Sequence, residues 1–188
     1  MIGAVQIQNR GTLGGNIANA SPAGDMLPIL LATDATIIVG SVRGERAIPA
    51  DAFWTGYRTT ALALDELVVR IRIPLVADRQ VRFRKIGTRR AQAISKVVLA
   101  LSWVAPTVEG PWRSVRLGLG SVAERPIRAT ATEAVLEGSP PTSDTADRAF
   151  VTLVAEINPI DDVRSTADYR RAVAARVLHR LIRDAGGW

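Results

Sequence analysis

Between Asn9 and Asp25 the sequence reads NRGTLGGNIANASPAGD, and its side chains suit holding a phosphorylated ligand better than breaking a bond. Adjacent glycines at 14 and 15 let the backbone take positive φ and come close to a ligand, with bare N–H groups free to face a phosphate. Asn16 tolerates a left-handed turn and offers an amide, while Thr12, Asn19, Ser21 and Asp25 add hydroxyl, amide and carboxylate groups within ten residues of the loop. The glycines at 11, 14 and 15 do not follow the dinucleotide spacing G-x-G-x-x-G, and no lysine-serine or lysine-threonine pair follows them as in a P-loop. By itself a Gly-Gly-Asn loop is a tight turn. Ser21 also reads as an N-cap and Asp25 as a first-turn helix charge.

The elements around these residues must position them. A helix is expected from about Pro22 to Ala32, capped by Ser21 and bent or broken at Pro28. ATIIVGSVRGERAIP predicts a hairpin around Arg43-Gly44-Glu45. LVVRIRI predicts a half-buried strand with Leu67, Val69, Ile71 and Ile73 on one side and Val68, Arg70 and Arg72 on the other. Pro74 to Gln80 is a joint, dividing the chain into residues 1–78 and 79–188. Strands follow at Val81 to Ile86, Ala93 to Val104 and Val115 to Val122, forming a three-stranded antiparallel sheet. Three helices then cover it. One starts on a capping box of Thr130 and Glu133 and stops at Gly138; one runs through Ala146, Ala149, Phe150, Leu153, Val154 and Ile157; the last starts near Ser165 and buries Val173, Ala174, Val177, Leu178, Leu181 and Ile182. The fold class is α+β, a mixed or antiparallel first part followed by a sheet packed with helices. Asp161-Asp162 reads as capping at a helix start, and His179 has no second metal ligand near it in sequence.

Composition narrows the chemistry. A hydrophobic fraction of 47% in 188 residues supports a sizeable core, and the absence of cysteine excludes disulfides, thiol catalysis and iron-sulfur ligation within this chain. No metal site is expected. MIGAVQIQNR lacks the charged region and long apolar core of a signal peptide, and no run of about 18 apolar residues occurs, so a cytoplasmic location without a membrane span is expected. The net charge of +6 is spread along the chain without an aromatic-basic platform, which argues against nucleic acid.

Asn9-Arg10-Gly11-Thr12-Leu13-Gly14-Gly15-Asn16-Ile17, followed by Ala20-Ser21-Pro22 and Asp25, resembles the second flavin loop of the FAD-binding medium subunits in the xanthine dehydrogenase and aerobic carbon monoxide dehydrogenase family, the molybdenum hydroxylases. The segment from Phe83-Arg84-Lys85-Ile86-Gly87 to Ser95-Lys96-Val97, then Gly118-Leu119-Gly120-Ser121-Val122-Ala123, and Asp162-Val163-Arg164-Ser165 with Tyr169-Arg170-Arg171 are similar to later signatures of the family, in the same order. The resemblance implies FAD as cofactor, with Thr12, Leu13, Gly14, Gly15, Asn16, Asn19, Ser21 and Asp25 at its phosphates and sugar hydroxyls. It further implies Val68 and Lys85 near the isoalloxazine ring. It implies an electron-transfer subunit in a hetero-oligomer with a molybdopterin-binding large subunit and an iron-sulfur small subunit. The family carries a further subdomain, with another glycine-rich flavin loop, ahead of the point where this sequence begins; without it, a flavin-free scaffold that docks partner subunits is the alternative expectation. Arg89-Arg90 is read as either a solvated pair or a docking patch.

Overall fold

In the computed structural model, which describes residues 3–89 and 92–188, the first core forms around a short helix held between two sheets. Met1, Ile2, Arg90 and Ala91, which belong to motifs quoted above, lie outside the described residues. After helix α1 (Val5–Gln8) come α2 (Leu13–Ala18) and α3 (Leu27–Ala32). Strands β1 (Thr36–Ser41) and β2 (Gly44–Pro49) form the expected hairpin, followed by α4 (Ala50–Phe53), the small ribbon β3 (Trp54–Gly56) and β4 (Thr59–Thr60), and β5 (Leu67–Arg72). The first sheet has the order β2-β1-β5. Its inner side packs Ile37, Val39 and Ile48 against Ile17, Leu27, Leu30, Leu31, Phe53 and Trp54.

The second sheet is antiparallel, order β6-β7-β8-β9, built from β6 (Arg79–Ile86), β7 (Val97–Val104), β8 (Arg113–Gly120) and β9 (Ile127–Arg128). Three of these strands were expected, and the two-residue β9 adds a fourth. β7 begins at Val97 rather than Ala93 because the chain first turns back, with Lys96 N–H donating to the Ile86 carbonyl at 2.8 Å. Both faces of β7 are covered, so it reads as a continuous apolar run. Val97, Leu99, Leu101 and Trp103 join Val115, Leu117 and Leu119 under the helices α5 (Thr130–Leu136), α6 (Ser143–Glu156) and α7 (Ala167–Gly186). The opposite face receives α3. No helix among the described residues is long and apolar enough to cross a membrane.

Four local expectations are corrected. The helix expected from Pro22 is α3 and starts at Leu27: Gly24 N–H bonds the Ser21 carbonyl and Leu27 N–H the Gly24 carbonyl, two successive turns, so Ser21 caps no helix. Pro28 lies in the first helical turn, where its missing N–H would have had no partner, and it begins the helix instead of breaking it. In β5 the inward residues are Val68 and Ile71, while Leu67, Val69 and Ile73 are exposed. Val39 pairs with Val68 and Ile38 with Arg70, so Val69 is the extra residue of a bulge that reverses the alternation halfway along the strand. The capping box does not form either. Thr130 is already helical, and Glu133 turns to the sheet, accepting from Leu117 N–H at 2.8 Å and pairing with Arg128. Glu156 from the end of α6 caps the amides of Ala131 and Thr132 at 2.8 and 2.9 Å. The cap of α7 is Thr166, one residue beyond Ser165, accepting from Tyr169 N–H.

Helix α3 and the segment leading into it lie so close to the second sheet that glycine stands opposite their carbonyls at two positions. A Cβ on Gly118 would stand 2.2 Å from the Pro28 carbonyl oxygen, and one on Gly120 would stand 3.0 Å from that of Pro22. Gly118→Ala is therefore expected to lower stability by about 2 kcal/mol or more, as forced overpacking does. Urea unfolding measures it, and a loss below about 0.5 kcal/mol would show that α3 is free to lift from the sheet.

Candidate functional site

Thr12 stands at the start of the site. Its extended backbone makes it the N-cap of α2, and its Oγ1 accepts from Gly15 N–H at 2.9 Å, while Asn16 N–H bonds the Thr12 carbonyl at 3.0 Å. The helix offers no acceptor to the amides of Leu13 and Gly14, which belong to its open first turn. Gly14 and Gly15 are helical, without the positive φ expected of a loop; the left-handed residue is Ala20, at φ 48°, which ends the helix with its side chain fully buried. Thr12 explains the change, because its hydroxyl closes the turn that the glycines would otherwise have made.

The glycines are not needed for internal packing at position 14. A Cβ there would meet Val68 Cγ1 at 3.8 Å, ordinary van der Waals contact. Glycine costs about 1 kcal/mol against alanine in a helix, so its presence in this turn lacks an explanation within the chain itself. At Gly15 a Cβ would press on the capping Thr12 Oγ1 at 3.0 Å. Asn16 Oδ1 is buried and has no hydrogen-bond partner. An orphaned acceptor beside a bare turn suits a ligand hydroxyl or amide.

The other residues separate into two sets. Val68 backs the glycine turn from β5, on the core side of its strand. Asn19 is exposed, its Oδ1 accepting from Arg58 at 3.4 Å, and Ser21 Oγ accepts from Ala23 N–H at 3.3 Å. Asp25 and Lys85, sixty residues apart, meet as a close ion pair whose side chains are 10% and 11% exposed. Ser95 donates to the second oxygen of Asp25. Asp25 thus spends its carboxylate on the protein, whereas the resemblance implied sugar hydroxyls.

Ser95 was missed by sequence reasoning although it lies in the quoted segment after Lys85. The signal is the hairpin register: Lys85 pairs with Val98, which returns the chain to Lys85 and sets Ser95 beside it. A second missed cluster sits at the other end of α3. Asp34 receives Arg116 at 2.7 Å, Arg79 at 3.4 Å and Arg128 at 3.8 Å. Hydrogen bonding to Glu133 holds the Arg128 guanidinium above its ordinary pKa, against burial. At the start of α7, Asp161 caps the Ala167 amide as expected of this pair, and Asp162 accepts from Arg164 and Ser165 amides and from Arg170. Burial pushes the Asp162 carboxyl up, but those three donors outweigh it and keep it below its ordinary value.

Residues 1–76 match the family described as the FAD binding domain in molybdopterin dehydrogenase, and residues 82–185 match the CO dehydrogenase flavoprotein C-terminal domain. The chain belongs to the flavoprotein family of the molybdopterin dehydrogenases. It is 34% identical to the glyceraldehyde dehydrogenase medium chain of Sulfolobus acidocaldarius, over 97% of this chain and 64% of that one. With the nicotine 6-hydroxylase medium subunit of Paenarthrobacter nicotinovorans it shares 31% identity over 96% of this chain and 62% of the relative. Among solved structures it is similar to carbon monoxide dehydrogenase from Hydrogenophaga pseudoflava, with a TM-score of 0.88 at 31% identity, covering 95% of this chain and 62% of that one. The relatives are subunits of dehydrogenases and hydroxylases, and the chain spans just under two thirds of the length of these medium chains.

The geometry makes the Asp25 to Lys85 pair costly to break from one side. Asp25→Asn strands a nearly buried ammonium, with an expected loss of about 3 kcal/mol. Adding Lys85→Met to it is expected to recover most of that loss. Chemical denaturation of the two variants checks this, and equal stability of Asp25→Asn and the parent protein would contradict the pairing.

Proposed function

We propose that this chain binds FAD through the Thr12 to Asn16 turn and serves as the electron-transfer subunit of a molybdenum hydroxylase. The observation that carries the reading is the partnerless, buried Asn16 Oδ1 beside a helix start whose Gly14 the protein's own packing does not require. These groups fit the cofactor. The open amides of Leu13 and Gly14 bind a pyrophosphate, aided by the positive end of the helix. Thr12 fixes the turn in which they point outward, and Asn16 Oδ1 accepts from a ribityl or ribose hydroxyl. Asn19 and Ser21 line the exit from the turn. Val68 supports it from behind, in place of the ring contact that the resemblance implied.

Ser95 fixes Asp25 and Asp25 holds Lys85, so a cation stands at a fixed place where it stabilises negative charge on a reduced ring. When bound, FAD supplies the redox chemistry, accepting electrons from iron-sulfur clusters of a small subunit and releasing them to an acceptor. The oxidised substrate belongs to a molybdopterin-binding large subunit. The complex is a cytoplasmic hetero-oligomer. Within it, this chain's residues bind and orient the cofactor, and none acts as an acid or base.

Titrating the full chain with FAD, followed by quenching of flavin fluorescence, tests the reading with an unusual pair of signs. Gly14→Ala is expected to stabilise the fold by up to about 1 kcal/mol through helix propensity. The same substitution is expected to raise the Kd for FAD about tenfold. An unchanged Kd in Gly14→Ala would remove the turn from the site, and a parent chain that binds partner subunits without flavin would favour the docking scaffold.

A further inference from the structure

Arg170 is a deeply buried cation, its residue 4% exposed, whose two terminal nitrogens are bonded while Nε has no partner. It lies in the first turns of α7, remote in sequence from the proposed FAD site. Its Nη1 donates to the carbonyls of Lys96 at 3.0 Å and Ser121 at 2.9 Å, and its Nη2 to Asp162 at 2.7 Å. Both carbonyls belong to loops at the end of the second sheet that carries Lys85.

Those loops lead directly to the site. Ser121 Oγ donates to the Ser95 carbonyl at 3.0 Å, and Ser121 N–H donates to the Pro22 carbonyl at 2.8 Å. Ser95 in turn holds Asp25, and Asp25 holds Lys85. A continuous series of hydrogen bonds therefore runs from Asp162 through Arg170, Ser121 and Ser95 to the Asp25 carboxylate, with a branch to the segment that follows Ser21. Helix α7 does not need this buried ion to dock. Ala174, Leu178, Leu181 and Ile182 already bury its apolar face, and an ion is an expensive way to add to such packing. A planar fork bridging two carbonyls and a carboxylate instead fixes where three segments lie relative to one another.

We infer that Arg170 is a positioning residue for the flavin site, setting the place of Ser95 and hence of the Asp25 to Lys85 pair. The inference rests on the FAD reading above for its consequence, but its geometry can be read without flavin. Two measurements separate them. Competitive acylation of Lys85, one of two lysines in the sequence, reports how firmly Asp25 holds its ammonium in the flavin-free chain. FAD titration reports the site.

Arg170→Lys keeps the charge but loses the fork, and it is expected to raise Lys85 acylation about tenfold and the Kd for FAD at least fivefold. Arg171→Lys, the neighbouring arginine outside the series, is expected to change neither. Ser121→Ala, which removes only the bond to the Ser95 carbonyl, is expected to shift both readouts in the same direction by about threefold, and it decides the matter if Arg170→Lys does not fold. Folded variants with the parent's acylation rate and Kd overturn the inference. Raised acylation in a chain whose parent form binds no FAD would uphold the positioning role while overturning the proposed function.

Discussion

Everything in this chain depends on how closely α3 lies on the second sheet. The contact is between backbones: the Pro28 carbonyl faces Gly118, and the Pro22 carbonyl faces Gly120 and accepts from Ser121 N–H. A side chain at Gly118 would hold the helix off by more than the tolerance of a packed interior. Ser102 Oγ adds a bond to the Ala32 carbonyl at the end of the helix. The helix is also clamped electrostatically at both ends, because Asp25 before it and Asp34 after it each receive cations from the second sheet. Leu27, Leu30 and Leu31 meanwhile belong to the core of the first sheet. One six-residue helix thus joins two cores that share no strand.

The site inherits its rigidity from that join. The glycine turn of α2 leads through Ala20 and Ser21 into Pro22, whose carbonyl is pinned to Ser121, and then into Asp25, which is pinned to Lys85 and Ser95. Residues offered by the first half are therefore held against a cation offered by the second. Carboxylates do the joining because each presents two oxygens: Asp25 uses one for Lys85 and one for Ser95, and Asp34 shares its pair among arginines from three strands. Such pairs add little net stability over an apolar contact, but a half-broken one is costly, so they select one arrangement of the two halves.

Elements with strong local signals were legible in the sequence. The hairpin at Arg43-Gly44, the apolar run of β7, and the helices α6 and α7 follow from periodicity and turn chemistry, and the α+β class follows from their order. The errors came where a tertiary partner outcompeted a local rule. Glu133 has capping-box spacing but bonds the Leu117 amide of a neighbouring strand. Val69 has the right alternation for the core but is expelled by a bulge that no residue of LVVRIRI announces. Of the candidate site, the glycine turn was not legible as helix, since the deciding bond comes from the Thr12 hydroxyl. The part played by Ser95 required the β6 to β7 register, and its meeting with Asp25, like that of Lys85, spans seventy and sixty positions of tertiary packing that no local pattern announces.

The central claim is that a single bare helix start, held in register with Lys85 by α3, receives the cofactor's phosphates. A crystal structure of the chain grown with FAD tests it most directly. The expected result places the pyrophosphate on the amides of Leu13 and Gly14, a flavin hydroxyl on Asn16 Oδ1, and the Asp25 to Lys85 pair unbroken. Flavin bound elsewhere, or bound with Asn16 Oδ1 still without a partner, would contradict it.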